Sequence, residues 1–186
     1  MGIYSLTWVF QTLYHTQPPS SRKPPAVVSS MTKYARTGAD EMTSVILTFP
    51  STPTTPAAHG IALTNLRVAT DVDGHSSSGP AIRIQGTKGE IQVDGPAFRP
   101  THYRVIPKGD GAGRPKVKEV ECPIPGKGMF WEADEAARCL RDGRLESEGL
   151  SWEESVVIME TMDEVRKQNG LIYSEKIETV RYPVDL

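Results

Sequence analysis

The stretch IRIQGTKGEIQV, residues 82–93, decides the fold of this chain. Apolar and polar residues alternate on both sides of a central Gly-Thr-Lys-Gly, so the two isoleucines of the first half match Ile91 and Val93 of the second. Glycines at positions 86 and 89 suit the tight turn of a hairpin. The stretch therefore predicts two antiparallel strands joined by a short turn.

The segments on either side of this hairpin extend the antiparallel pattern. Runs rich in β-branched and aliphatic residues predict further strands at 26–34, 44–49, 59–70, 102–107 and 117–125. Segment 59–70 carries aliphatic side chains on both of its faces. Such a strand predicts that the open face of its sheet packs on a partner.

Helical patterns flank these strands at both ends of the chain. Residues 3–15 predict an amphipathic helix, and residues 129–142 a second one with Gly143 as its C-cap. Ser151 and Glu154 have the spacing of a capping box and begin a third helix. A last strand is predicted at 178–184. This order is typical of an α+β fold, with an open, largely antiparallel sheet and helices on one face.

Composition narrows the classes of protein to consider. The 186 residues suit one domain, and a formal net charge of −2 without basic runs argues against a nucleic-acid partner. No apolar run is long enough to span a membrane. Cys122 and Cys139 form no CxxC pair, so we expect two buried, reduced thiols and a cytoplasmic protein.

Several short motifs fail the requirements of the sites they suggest. The glycines of GDGAGR (109–114) open no helix, and GKGMFW (126–131) lacks the third glycine of a dinucleotide fingerprint. DVDG (71–74) lacks the glycine and glutamate of a calcium loop. The four histidines show no paired-ligand spacing, so no metal site is expected. Tyr4, in a first helical turn, is by itself a packing residue, since a catalytic tyrosine needs a cation to lower its pKa.

Three segments together resemble the C-terminal half of the Gfo/Idh/MocA oxidoreductases. GIYSL at 2–6 is similar to the family's D-x-G-x-Y/H helix start, and 82–93 to its I-x-G-T-x-G hairpin. The long run from 130 to 173 resembles the ending of one branch, the dimeric dihydrodiol dehydrogenases and fungal NADP-dependent D-xylose 1-dehydrogenases. The three segments reach across most of residues 1–173.

This resemblance carries expectations about the whole chain. It implies that residues 1–186 are a single C-terminal domain for substrate binding and dimerisation, without the N-terminal Rossmann domain and its catalytic lysine. It implies NADP as cofactor, a sugar or diol as substrate, and a homodimer through the sheet face. Tyr4 matches the tyrosine that this branch uses as proton donor and acceptor during hydride transfer to NADP, while the motif's aspartate would precede Met1.

Three interpretations of the chain remain open at this point. It is the substrate and dimer half of a dehydrogenase, inactive until a cofactor half is restored. Alternatively, it is a non-catalytic binding or oligomerisation module that uses the open sheet face. The third interpretation is a truncated gene product with no settled function.

Overall fold

A computed structural model describes residues 2–69, 71–109, 111 and 116–181 of the chain. The helices in this part are α1 (Gly2–Leu13), α2 (Phe130–Arg141), α3 (Trp152–Gln168) and α4 (Glu175–Glu178). The strands are β1 (Ala26–Lys33), β2 (Asp40–Phe49), β3 (Ala58–Asn65), β4 (Ile82–Gly86), β5 (Gly89–Val93), β6 (His102–Pro107) and β7 (Lys118–Glu121).

The α+β class and the antiparallel pairing are confirmed, but the strands form two sheets. One has the order β1-β2-β3 and the other β4-β5-β6-β7. The division follows from the early end of β3, which was predicted to run to residue 70. The Asn65 side-chain Oδ1 accepts the backbone N–H groups of Arg67 at 2.8 Å and Val68 at 3.1 Å. An asparagine that bonds its following backbone in this way makes a turn and ends the strand.

The hairpin of residues 82–93 forms in the predicted register. Ile82 pairs with Val93 and Ile84 with Ile91 across β4 and β5. Gly89 has a φ of +149°, and a Cβ there would collide with the carbonyl oxygen of Ile106. Glycine is therefore required at this end of the turn.

The main core lies between the first sheet and two helices. α1 packs on β3, and α3 packs on β1 and against α1. Phe10 is fully buried, with its ring 5.9 Å from that of Phe49 in an edge-on arrangement. The core cluster consists of Leu6, Phe10, Tyr14, Val45, Leu47, Phe49, Ala62, Ile158 and Val165. Both helices therefore cover the same face of the three-stranded sheet.

The other face of this sheet is open and partly apolar, as the pattern of 59–70 predicted. Val28, Ile46 and Ile61 lie directly opposite one another on the three strands. They are 65%, 45% and 66% exposed, and Leu63 is 60% exposed. These four side chains are called the outer face below.

The predicted N-cap at Ser151 and the glycine after α2 are confirmed. The Ser151 hydroxyl accepts the backbone N–H of Glu154 at 3.1 Å, which caps α3. Gly143 follows α2 with a φ of +66°. The apolar side of α2 is nevertheless open, since Met129 is 65% and Leu140 83% exposed.

Other expectations for the chain are corrected or lie outside the described residues. The predicted strand 178–184 does not form where it is described, because Glu178 ends α4 and 179–181 adopt no strand. Cys139 is buried but Cys122 is exposed, since it follows the short edge strand β7. Most of GDGAGR and the residues after 181 lie outside the described residues.

Candidate active site

Tyr4 lies in the first turn of α1, close to the loop that follows β5. Its side chain is 51% exposed, and its ring centroid lies 5.6 Å from that of Phe98 in a tilted arrangement. Among the described residues, no hydrogen bond, ion pair or cation–π contact uses the Tyr4 side chain. The phenol is thus open to solvent on one side and packed against one aromatic ring on the other.

Phe98 belongs to the loop of residues 95–99, which follows β5 and is called the aromatic loop below. The backbone N–H of Gly95 donates to the Ser76 hydroxyl at 3.0 Å. The backbone N–H of Arg99 donates to the Pro96 carbonyl at 2.9 Å, which closes a turn within the loop. These two bonds hold the loop that touches Tyr4.

α1 is tied to both sheets by side chains near Tyr4. The Ser5 hydroxyl donates to the Leu63 carbonyl on β3 at 2.7 Å. The Trp8 indole N–H donates to the Ala97 carbonyl in the aromatic loop at 2.8 Å. The start of the helix is therefore fixed on two sides.

Gly60 on β3 lets α1 approach the sheet closely. A Cβ at this position would overlap Cγ1 of Val9 and lie 3.3 Å from its Cβ. The neighbouring atoms belong to a β-branched side chain with little freedom to rotate away. Glycine at position 60 thus sets the height of α1 above β3.

The far end of α1 is held by a fully buried carboxylate on α3. Glu154 Oε2 lies 2.9 Å from Nδ1 of His15, and its Oε1 accepts from the Gln11 side-chain amide at 3.0 Å. The Gln11 amide also donates to the Gly149 carbonyl at 2.9 Å. A buried carboxylate is tolerated where such partners satisfy it.

A second titratable cluster lies at the other sheet. His102 on β6 lies 2.7 Å from Asp94 through Nδ1 and 2.7 Å from Glu119 through Nε2. Arg104 Nη2 lies 3.1 Å from both oxygens of Asp94. The hydrogen bond to Asp94, together with the negative charges of Asp94, Glu119 and Glu121, raises the pKa of His102 above its ordinary value. The cluster joins the end of β5 to the edge strand β7.

The described residues do not fit a dinucleotide cofactor. Their strands are all paired antiparallel, whereas the dinucleotide fingerprint needs a parallel βαβ unit. The cavity at the start of α1 has about 150 Å³, lined in part by Gly2, Ser5 and Thr43. Small-molecule sites usually have about 300–1,000 Å³. No group of three or more His, Cys, Asp or Glu residues in the described part is arranged to hold a metal ion.

Comparison with curated proteins gives the relationship. The chain is 51% identical over 190 residues to the D-xylose 1-dehydrogenase (NADP(+)) of Hypocrea jecorina, covering 98% of this chain and 46% of that protein. It is 28% identical to the trans-1,2-dihydrobenzene-1,2-diol dehydrogenase of Danio rerio, covering 94% of this chain and 46% of that protein. The chain belongs to the Gfo/Idh/MocA oxidoreductase family.

Two other matches cover less of the chain or share a lower identity. The scyllo-inositol 2-dehydrogenase (NADP(+)) IolU of Bacillus subtilis is 33% identical over 53% of this chain and 28% of its own length. A solved putative oxidoreductase from Bacteroides fragilis aligns with a TM-score of 0.47 and 14% identity, over 91% of this chain and 50% of that one. No protein-family model matches. The chain spans about half of the length, 46%, of the two dehydrogenases that match nearly all of its residues.

Most of what surrounds Tyr4 had no signal in the sequence. Trp8 and Ala97 are 89 positions apart, and Phe98 shares no motif with Tyr4. Glu154 was predicted as part of a capping box, whose side chain reaches back to the cap. Its carboxylate binds His15 and Gln11 instead. Of the four histidines, His15 and His102 proved to be part of hydrogen-bonded clusters.

Among helices in the described part, none is long and apolar enough to cross a membrane.

Proposed function

We propose that this chain is the substrate-binding and dimerisation part of an NADP-dependent dehydrogenase that oxidises a hydroxyl of a sugar or diol. Tyr4 is the group that exchanges the substrate proton. The observation that carries the proposal is the position of Tyr4, half exposed in the first turn of a helix whose other contacts are fixed. The names of the relatives, one for D-xylose and one for a dihydrodiol, support this substrate class.

In this proposal Tyr4 acts on the substrate hydroxyl within hydrogen-bond distance, about 2.6–3.2 Å. A neighbouring cation would favour the charged phenolate. The resemblance assigns that cation to a lysine of a dinucleotide-binding half, which also holds NADP. The described residues do not fit NADP, so we expect this chain alone to be inactive. The two free cysteines support a cytoplasmic location.

The outer face supports the proposed homodimer. A row of aliphatic side chains across three strands is more apolar than a solvated sheet face normally is. In a two-fold dimer the same patch would meet itself, so Val28, Ile46 and Ile61 of each copy would be covered together. α1 and α3 pack on the opposite face of this sheet, so they leave the patch uncovered.

The test of the catalytic proposal restores a cofactor half. The segment of the Hypocrea jecorina enzyme that precedes its matched region is joined to the complete chain, and NADPH formation is followed with D-xylose and with a dihydrodiol. Tyr4→Phe should lower kcat by about 10²–10⁴-fold, the usual contribution of a general acid–base group. Tyr34→Phe is the matched control, because Tyr34 is 41% exposed beyond β1 and far along the chain from α1. An active joined enzyme that keeps its full kcat with Phe at position 4 would refute the role of Tyr4.

The chain alone provides the complementary measurement. Calorimetry with NADP should give no binding to residues 1–186. Tight binding would contradict the assignment of the cofactor to another half.

A second candidate function follows from the outer face alone, as a non-catalytic binding or oligomerisation module. The oligomeric state of the chain tests whether the outer face is an interface between two copies. Light scattering after size exclusion should show a dimer for the chain and a monomer for Ile46→Lys, because a charge would be buried between the copies. Val156→Lys is the control, since Val156 is 54% exposed on α3. A folded monomer for the unchanged chain would count against the interface. A dimer without activity in the joined enzyme would favour the binding module.

A further inference from the structure

α1 contacts both β3 of the first sheet and the aromatic loop that follows β5. The helix packs on β3 of the first sheet and against α3, and its Ser5 and Gln11 side chains, with His15 just beyond its end, bond to that same half of the molecule. Within the described part of the chain, the Trp8 indole is the one α1 side chain that hydrogen-bonds towards the second sheet. The place of α1 relative to the aromatic loop therefore depends on this bond.

Helical spacing links Trp8 to Tyr4. The two residues are four positions apart and so lie one above the other on the same face. The acceptor of the Trp8 bond, Ala97, is the immediate neighbour of Phe98, whose ring contacts Tyr4. Tyr4 and Trp8 are therefore connected in two ways. They share one turn of α1, and they are also linked through the hydrogen bond of Trp8 to Ala97 and the contact of the adjacent Phe98 ring with Tyr4.

The acceptor in this loop is itself held in place. Gly95 is bonded to Ser76, and the turn from Pro96 to Arg99 is closed by a backbone bond. The Arg99 side chain also donates to the Gly126 carbonyl at 3.2 Å. The Ala97 carbonyl, which accepts the Trp8 indole N–H, is therefore held in place by its own loop. Tyr4 has no hydrogen bond of its own among the described residues, so its place is set by its backbone and by Phe98.

We propose that Trp8 is a positioning residue for Tyr4, acting through its N–H···O=C bond to Ala97. The inference rests on the proposed catalytic role of Tyr4 and adds to it. Loss of the donor frees α1 and the aromatic loop to move relative to each other, and the phenol leaves its place against Phe98. Displacement of a reacting group by about 1 Å can cost about 10²-fold in rate.

The first test uses the complete chain as it is, without any cofactor half. Tyrosines are labelled with 3-fluorotyrosine, and the fluorine resonance of Tyr4 is assigned by its absence in Tyr4→Phe. Trp8→Phe retains an aromatic ring but removes the N–H donor. It should shift or broaden the Tyr4 resonance and leave those of the other tyrosines in place. Trp152→Phe is the matched control, because Trp152 is 64% exposed on α3. A Tyr4 resonance unchanged in folded Trp8→Phe overturns the proposal.

A measurement on the unchanged chain covers the case in which Trp8→Phe does not fold. The indole N–H of Trp8 is bonded and should exchange with solvent more slowly than the indole N–H of exposed Trp152. Equal exchange rates would also overturn the proposal.

The kinetic test uses the joined enzyme with the restored cofactor half. Trp8→Phe should lower kcat by about 10- to 100-fold, with KM for the sugar or diol changed by less than about twofold. The midpoint of thermal unfolding serves as the control for a general structural defect. If the joined enzyme is active and Trp8→Phe leaves kcat unchanged, the positioning role is wrong. If the joined enzyme itself is inactive, the proposed function fails, and the fluorine and exchange results still decide whether Trp8 holds Tyr4.

Discussion

The contact between the ends of α1 and α3 should make a large contribution to the stability of this chain. Glu154 is completely buried and its carboxylate meets Nδ1 of His15 at 2.9 Å. Changing His15 to Ala leaves that carboxylate with the Gln11 amide as its remaining side-chain partner. A buried charge that loses a partner is far more costly than the loss of an ordinary surface contact.

The size of this effect follows from the burial of the two partners. Leaving a buried acceptor unsatisfied costs about 1–3 kcal/mol, and more when that group is charged. The His15 side chain is 32% exposed, so water can replace part of its contact. We therefore expect His15→Ala to lower the free energy of unfolding by about 2–3 kcal/mol. Glu154→Gln keeps the shape and removes the charge, so it should cost about 1 kcal/mol.

Urea unfolding of the single and double variants measures this contact directly. The midpoint should fall with little change in the slope m, and the thermal midpoint of His15→Ala should drop by about 4–12 °C. In the double variant the histidine loss no longer strands a charge, so the total should be about 1–2 kcal/mol less than the sum. His59→Ala, at an exposed site on β3, is the control and should change stability by less than about 0.5 kcal/mol. Equal, small effects of His15→Ala and His59→Ala would refute the reasoning.

Two further predictions concern the second sheet and the contact of α1 with Gly60 on β3. The raised pKa of His102 means that its contribution to stability is complete below about pH 6.5, the unfolded value, and is lost as pH rises through the folded value. The stability difference between the chain and His102→Gln, measured by urea unfolding, should therefore shrink from about pH 6 to pH 9. A difference that does not depend on pH would contradict this prediction. Gly60→Ala should lower the free energy of unfolding by about 1–3 kcal/mol, because the added methyl group overpacks the contact between β3 and Val9 of α1. Gly86→Ala is the control and should cost clearly less, since its added carbon meets nothing closer than 3.7 Å. Equal losses in thermal unfolding would show that Gly60 does not set the approach of α1 to β3.

The parts of the fold that the sequence predicted are those fixed by neighbours along the chain. The 82–93 hairpin depends on alternation and on two glycines, and both act within a dozen residues. The cap at Ser151 and the glycine after α2 are equally local. The division into two sheets was missed because it depends on where β3 ends. The turn at Asn65 decides that point against the strand propensity of the residues that follow.

The exposed apolar side of α2 shows a limit of periodicity. A pattern of apolar residues predicts which side chains share a face, but not whether another element covers that face. The second helix forms as predicted, yet its Leu140 is 83% exposed. Cys122 was predicted to be buried from cysteine usage alone, which carries no information on its place at the end of the edge strand β7.

For the candidate site, the sequence predicted the residue but not its surroundings. Tyr4 was selected by resemblance to a short motif, and the role carried over with it remains a proposal. Neither Trp8 nor Phe98 was selected as a partner of Tyr4. Their contacts join positions about 90 residues apart, and such pairs follow only from the packed fold.

The packing of α1 explains why Tyr4 is so well placed for the proposed role. Gly60 fixes the height of the helix, Glu154 holds its last turn and Trp8 holds its first turns. These contacts use the sides of α1 that face the molecule and leave the phenol exposed. A proton-exchanging group needs this combination, a fixed backbone and a free hydroxyl, because its rate depends on distance to a substrate that arrives from solvent. Weakening any one of these three contacts should therefore reduce the activity of a joined enzyme more through kcat than through substrate binding. Of the three, Trp8 should have the largest effect, because its acceptor Ala97 is next to Phe98, whose ring contacts Tyr4.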